Sequence, residues 1–215
     1  METINSKKCL PILEIAKINL RHNSALSIAV CAAILIITPI LYGTANLDTA
    51  SSAAPLEMFV SFIGIVLLTP VFGPEQNHET SDVVSSKYIG TTTIYLIRIV
   101  CAMLLLFTMI GLFCIFMRLQ KCDVTFLLFW GTAANAVFLG SLGMITAALT
   151  DNTVIAYMIP LVYYALNYGM GRKLGNYFLF SMRATDFQPK MWLFPTGILL
   201  LILSLIVKWF KQKLL

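Results

Sequence analysis

The sequence predicts an all-α polytopic membrane protein: six transmembrane helices, an N-terminal amphipathic interfacial helix and a half-inserted segment before the last helix. Three observations carry that prediction. Hydrophobic residues make up 59% of the 215 positions and charged residues 12%, whereas soluble domains carry about 25% charged residues. Apolar runs recur that are long enough to cross about 30 Å of hydrocarbon at about 1.5 Å per residue. The polar residues collect between those runs, so the net charge of +5 reads as orientation charge at membrane surfaces and not as a nucleic-acid footprint. A single transmembrane domain over 1–215, in contact with membrane lipid and with no nucleic acid, follows.

Within residues 9–22, the stretch Leu10 to Arg21 places Glu14, Lys17 and Arg21 at i, i+3 and i+7 on an otherwise apolar helix. That stripe suits a helix lying in the interface, and Pro11 fits its first turn. The alternative is a cytosolic extension of the first spanning helix. The apolar run from 24 to 42 is longer than the roughly 7–15 residues of a signal-peptide core, so it is expected to stay as a spanning helix despite the small-residue stretch Ala50 to Ala54 that follows. The other spans are expected at about 57–73, 91–117, 124–149, 154–170 and 192–210. None of these windows carries a carboxylate near its middle, which argues against an intramembrane acid protease.

Orientation follows from the lysines and arginines. Lys7, Lys8, Lys17 and Arg21 precede the first span, and the loop Gly43 to Pro55 has neither residue type, so the N-terminus is expected on the cytoplasmic side. Six crossings return Lys208, Lys211 and Lys213 to that side. Arg118, Lys121, Arg172, Lys173, Arg183 and Lys190 then fall outside, against the rule, and the first helix takes precedence. The polar interval 74–90 and the turn Thr150 to Thr153 become cytoplasmic, and 171–191 extracytoplasmic. The run NYFLFSM (Asn176 to Met182) is too apolar for a free loop and too short to span, so it is expected to dip back toward the membrane and close the outer end of a pathway.

Candidate chemistry concentrates in the polar interval. His78-Glu79-Thr80-Ser81-Asp82 approaches the H-E-x-x-H zinc helix, but Asp82 stands where the second histidine belongs and the chain's other histidine is His22. Neither histidine lies at membrane depth, so a serine–histidine site fails as well. Cys31, Cys101 and Cys114 lie in apolar runs, Cys9 near the start and Cys122 in a predicted loop, which reads as buried thiols and not as a disulfide or metal framework. No catalytic or metal-binding residue is expected.

A docking role fits the interval better. Pro74 with Glu75 and Glu79 makes a good helix start, and Val83 and Val84 form a small apolar knob for the groove of a soluble partner. Arg98, two to three turns into the third span, either snorkels or pairs in a buried site with Glu75 or Glu79. In the fourth span, Ala136, Gly140, Gly143 and Ala147 form a smooth stripe for close helix approach within the protomer. Asn135, Tyr164 and Asn167 are candidates either for a substrate path or for interhelical hydrogen bonds, and Pro160 shares a helical face with the last two.

Together, the six helices, the amphipathic start, the acidic first cytoplasmic loop, the brief second cytoplasmic turn and the half-inserted segment resemble an ABC-2-type exporter permease. The likeness covers nearly the whole chain in architecture and is concentrated at residue level in Glu75 to Lys87. Family members usually show a Glu followed by Gly-Thr and then Pro there; this sequence has Thr80 but lacks the Gly and the Pro. The resemblance implies that Glu75, Glu79, Asp82, Val83, Val84 and Lys87, with Thr150, Asp151 and Asn152, couple the helices to ABC ATPase subunits. The chain has no G-x-x-x-x-G-K-[ST] phosphate loop, so ATP and Mg would be bound by that partner, with no cofactor in this chain. It also implies a second permease chain, as a homodimer or with a related permease, in a bacterial cytoplasmic membrane with both termini cytoplasmic. The expected activity is export of an amphipathic or lipophilic substrate such as a peptide or drug, with glycan export open. A non-transporting membrane immunity or sensor protein is the alternative, followed by an intramembrane hydrolase.

Overall fold

A computed structural model describes residues 24–75 and 91–214, with the backbone alone for 74, 75, 91 and 214. The expected interfacial helix Leu10 to Arg21 lies outside the described residues, as do Glu79, Asp82, Val83, Val84 and Lys87 and the side chain of Glu75. The described residues are helical apart from short connections, without strands: α1 (Ala25–Tyr42), α2 (Thr49–Gly73), α3 (Thr91–Leu119), α4 (Phe126–Thr150), α5 (Thr153–Met170) and α6 (Gln188–Leu214), with short 3-10 turns at Gly171–Tyr177 and Met182–Ala184.

Five of these are long and apolar enough to cross a membrane: α1, α2, α3, α4 and α6. Helix α5 has 18 residues and is not among them, because four tyrosines, Pro160 and Asn167 dilute its hydropathy. A multi-pass membrane-embedded chain is thus supported.

Helix α4 is the centre of the bundle. It packs against α6, α2, α5 and α3, and most of its residues from Leu128 to Ala148 are buried. Its glycines set the spacing. A Cβ on Gly64 of α2 would sit 1.8 Å from the Ala136 carbonyl oxygen, and one on Gly140 would sit 2.5 Å from the Gly64 carbonyl oxygen. One turn on, a Cβ on Gly143 would meet the Thr69 hydroxyl at 2.1 Å. The stripe Ala136, Gly140, Gly143 and Ala147 therefore receives α2, with backbones in direct contact.

Helix α2 corrects the sequence reading. Its span begins at Thr49 and not at 57, so the loop between the first two spans shrinks to 43–48. Ser51, Ser52 and Pro55 make this stretch look like a loop, yet Ser52, Ala53, Ala54 and Pro55 are buried in the first two turns. Pro55 lacks an N–H and crowds the carbonyl four residues back. The helix responds by widening into a π turn over Leu56–Val60, where Ser61 N–H reaches back five residues to the Leu56 carbonyl at 3.2 Å. Other boundaries move by a few residues, the largest change being the start of α6 at Gln188. Cys122, expected in a loop, is buried between α3 and α4, and Cys31, Cys101, Cys114 and Cys122 are free thiols.

Contacts at the helix ends fix an up-and-down order. At one end, Asn46 N–H donates to Gln120 C=O at 3.1 Å, Asp123 N–H to Leu47 C=O at 2.9 Å, and the Thr49 hydroxyl to Asp123 at 2.5 Å, joining the α1–α2 and α3–α4 connections. At the other end the Phe72 and Tyr95 rings meet edge to face at 5.0 Å, Arg98 donates to Val71 C=O at 3.3 Å, and Gln212 of α6 donates to the Tyr95 hydroxyl at 3.0 Å. The C-termini of α2, α4 and α6 and the N-terminus of α3 thus share that end.

Candidate functional site

The most unusual chemistry in the bundle is an ion pair that none of the six expected windows suggested. Glu57 lies in the π turn of α2, roughly 12 Å in from Thr49 at about 1.5 Å per residue. Lys190 is in the first turn of α6. Their side chains are 0% and 2% exposed, and Lys190 Nζ lies 2.9 Å from Glu57 Oε1. A lysine ammonium has three donors, and each finds an acceptor: Glu57 Oε1, Asn135 Oδ1 at 2.9 Å, and the Leu179 carbonyl. The carboxylate accepts a further bond from the Met182 N–H at 2.8 Å, while Oε2 makes none among the described residues.

This centre is organised around Phe178 to Met182, the apolar part of the connection between α5 and α6. Leu179, Ser181 and Met182 are buried. A buried irregular stretch must satisfy its backbone polar groups, and side chains do so here. The Leu179 carbonyl accepts from Asn135 Nδ2 at 2.9 Å as well as from Lys190, and the Leu179 N–H donates to Asn167 Oδ1 at 2.8 Å. Asn167 Nδ2 donates to the Tyr163 carbonyl at 3.3 Å, and the Tyr163 hydroxyl donates to the Tyr177 carbonyl at 2.7 Å. Gly131 makes the floor, since a Cβ there would sit 2.3 Å from the Met182 sulfur. The α5–α6 connection is thereby anchored to α2, α4, α5 and α6 at once.

Asn135 and Asn167, expected as path residues or interhelical bonders, are fully buried and used in this anchoring. Tyr164 is half-buried and donates to the Met58 carbonyl at 2.9 Å, next to Glu57. Lys190, expected as an outward-facing charge, is instead neutralised inside the bundle and drops out of the surface charge count. Glu57, at the edge of the expected second span, is instead buried about a third of the way along α2, away from its middle. Placing the second span eight residues too late put this acid at its lip, and starting the last span at 192 left Lys190 outside.

The second group of expected residues lies at the opposite end. Asp151 adopts a left-handed conformation (φ 49°) and closes α4 through its N–H to Ala147 C=O at 3.0 Å. Asn152 caps α5, its Oδ1 accepting from the N–H groups of Val154 at 2.9 Å and Ile155 at 3.3 Å. The Thr150 hydroxyl donates to Thr146 C=O at 2.8 Å. Asp151 is bridged by Lys208 and by Lys211, the latter at 2.7 Å. Burial pushes its carboxyl up, but the two lysines outweigh this and the net shift is downward. The expected pairing of Arg98 with Glu75 or Glu79 involves side chains outside the described residues; Arg98 itself donates to Val71 C=O.

Among the described residues, no group of three or more His, Cys, Asp or Glu side chains is arranged to hold a metal ion. No family model matches the chain, and neither a curated protein nor a solved structure does.

Proposed function

We propose that this chain is the membrane-spanning permease subunit of an ATP-driven ABC-2-type exporter, with α5 as a sixth crossing and the 171–191 connection half-inserted from the outer side. The observation that carries this reading is the segregation of the two ends. The turn at Thr150, Asp151 and Asn152 lies beside the lysines of α6, at the end where α2 stops and α3 starts. The ends of α2 and α3 that flank 76–90 lie there too, which supports a single partner acting on both expected coupling elements. The buried centre lies toward the other end, where Lys190 and Glu57 hold the α5–α6 connection.

On this reading ATP and Mg are bound by separate ATPase subunits, which push on the two cytoplasmic connections. A second permease chain, identical or related, completes the path, and an amphipathic peptide or drug is moved outward across a bacterial cytoplasmic membrane. Glu75, Glu79, Asp82, Val83, Val84 and Lys87 would form the docking surface.

A non-transporting immunity or sensor protein is the competing reading. It is favoured by the internal neutralisation of Asp151, which leaves less charge at the turn for a partner. Co-purification with an ABC ATPase encoded nearby, followed by Glu79→Arg and Val83→Arg, separates the two. Loss of ATPase association and of export in both variants supports the exporter; native export in both, or no association with any ATPase, rejects it.

A further inference from the structure

We propose that the cleft between the end of α5 and the α5–α6 connection binds the phosphate headgroup of an anionic lipid. The cleft has a volume of about 420 Å³ and is walled by Tyr168, Phe178 and Phe180, with Met58 at its base and Arg172 and Arg183 at its rim. No acid is among its lining residues. Glu57, the nearest buried carboxylate through Met58, is already matched by Lys190. The rim of this cleft therefore carries two positive charges, with Asp186 of the adjoining cleft as the acid on the far side of Arg172.

A second cleft of about 360 Å³ adjoins the first and shares Arg172 and Phe178 with it. Ser181 lines this second cleft. The residue is 3% exposed, and its Oγ is buried without a hydrogen-bond partner among the described residues. A buried hydroxyl without a partner is costly, and a phosphate oxygen held by Arg172 would supply the acceptor. Asp186 also lines this side, where its carboxylate accepts the Gln188 N–H at 3.0 Å and restricts the anion to the arginine side.

Guanidinium groups bind phosphate through paired N–H donors, which gives the chemical class. The setting gives the source. Tyr168, Met170 and Tyr177 are exposed beside the opening, at 68%, 49% and 44%. Exposed tyrosines at the end of an apolar bundle mark the headgroup level of a bilayer. A phosphate entering here arrives with its acyl chains along the exposed apolar side of α5 below Tyr168, where Leu161 lies seven residues back on the same face.

The test uses the full chain purified in a non-ionic detergent, without any ATPase, so its result is independent of the exporter reading. Short-chain phosphatidylglycerol, phosphatidylcholine of the same chain length, and inorganic phosphate are titrated separately, with bound adducts counted by native mass spectrometry. Saturable phosphatidylglycerol binding is expected, weakened about tenfold or more in Arg172→Gln/Arg183→Gln, with each single variant intermediate. Lys173→Glu, which changes the net charge as much as the double variant does but outside the lining, is expected to weaken binding far less than the double variant. Both arginines are exposed, so the double variant should keep the native melting temperature. Equal binding of the two lipids, native binding by the double variant, or an equal loss in Lys173→Glu would each overturn the site. Inorganic phosphate binding as tightly as the lipid would overturn the lipid source.

Discussion

Lys190 Nζ of α6 stands 2.9 Å from Glu57 Oε1 of α2, with both side chains out of contact with solvent. Two charges removed from water repay their desolvation only when the geometry is good and the remaining donors are used. Here each ammonium proton has an acceptor, and one of the acceptors is the Leu179 carbonyl of the α5–α6 connection. The pair thereby fixes where that connection lies as well as joining two helices.

Removing one member strands the other. Glu57→Leu and Lys190→Met are each expected to destabilise the bundle by about 3–5 kcal/mol, whereas the double substitution should lose less than the two losses added together, because no buried charge is left, although the Met182 N–H and Asn135 Oδ1 then lack partners. Thermal unfolding in detergent checks this as a double-mutant cycle. Additive losses in the double variant would mean that the two residues act independently.

The α2–α4 crossing makes a steric prediction. Gly64→Ala requires a methyl where the Ala136 carbonyl already sits, at 1.8 Å, and backbone cannot rotate aside as a side chain can. The helices must separate, at a cost of about 1–3 kcal/mol or more. Gly169→Ala, with nothing within 4 Å of the new methyl, should be neutral or slightly stabilising, since alanine is the better helix former. Equal effects of the two substitutions on melting temperature would contradict the close approach.

The apolar runs made the spans legible in the sequence, and the alanine–glycine stripe of α4 made its close crossing with α2 legible too. Asn135, Tyr164 and Asn167 stood out as polar residues in oil. Their common target did not, because two of them bond to the backbone of Leu179, and a backbone acceptor leaves no residue type to recognise. Glu57 and Lys190 were obscured by local composition. Ser51, Ser52 and Pro55 resemble a loop, but they are buried turns of α2, so the acid that follows is interior. A signal was present: Glu57 and Lys190 flank apolar runs whose outer ends share one side, and opposite charges at equal depth are candidates for pairing. The turn at Asp151 was legible as a turn, while its lysine partners, more than fifty positions away, were legible only as tail charges.

Asp151 gives a pH dependence whose sign is fixed by its downward shift. A carboxyl held below its ordinary value stabilises the fold fully above the unfolded value of 3.8, and that contribution is lost as the pH falls through the lower folded value. The side chain is 43% exposed, so solvent screening keeps the effect under about 1 kcal/mol. Native protein should be slightly more stable than Asp151→Asn at neutral pH, and the difference should shrink progressively as the pH falls through the region of 3.8 and below. Melting curves across that range in low salt check it, with high salt expected to reduce the difference.

Asn167 tests whether the α5–α6 connection is held by its side-chain bonds or merely by apolar contact. Its Oδ1 takes the buried Leu179 N–H at 2.8 Å, and Asn167→Leu leaves that donor without an acceptor, a cost of about 1–3 kcal/mol. The loss should be local, because α4 and α6 keep their own packing and Asn135 still holds the Leu179 carbonyl at 2.9 Å. Hydrogen exchange at Leu179 and its neighbours is therefore expected to accelerate by about tenfold or more, while exchange within Ala133 to Leu139 of α4 stays native. Uniform acceleration throughout α4 would show that Asn167 supports the whole bundle. Unchanged exchange at Leu179 would show that Lys190 and Asn135 suffice to keep the connection in place.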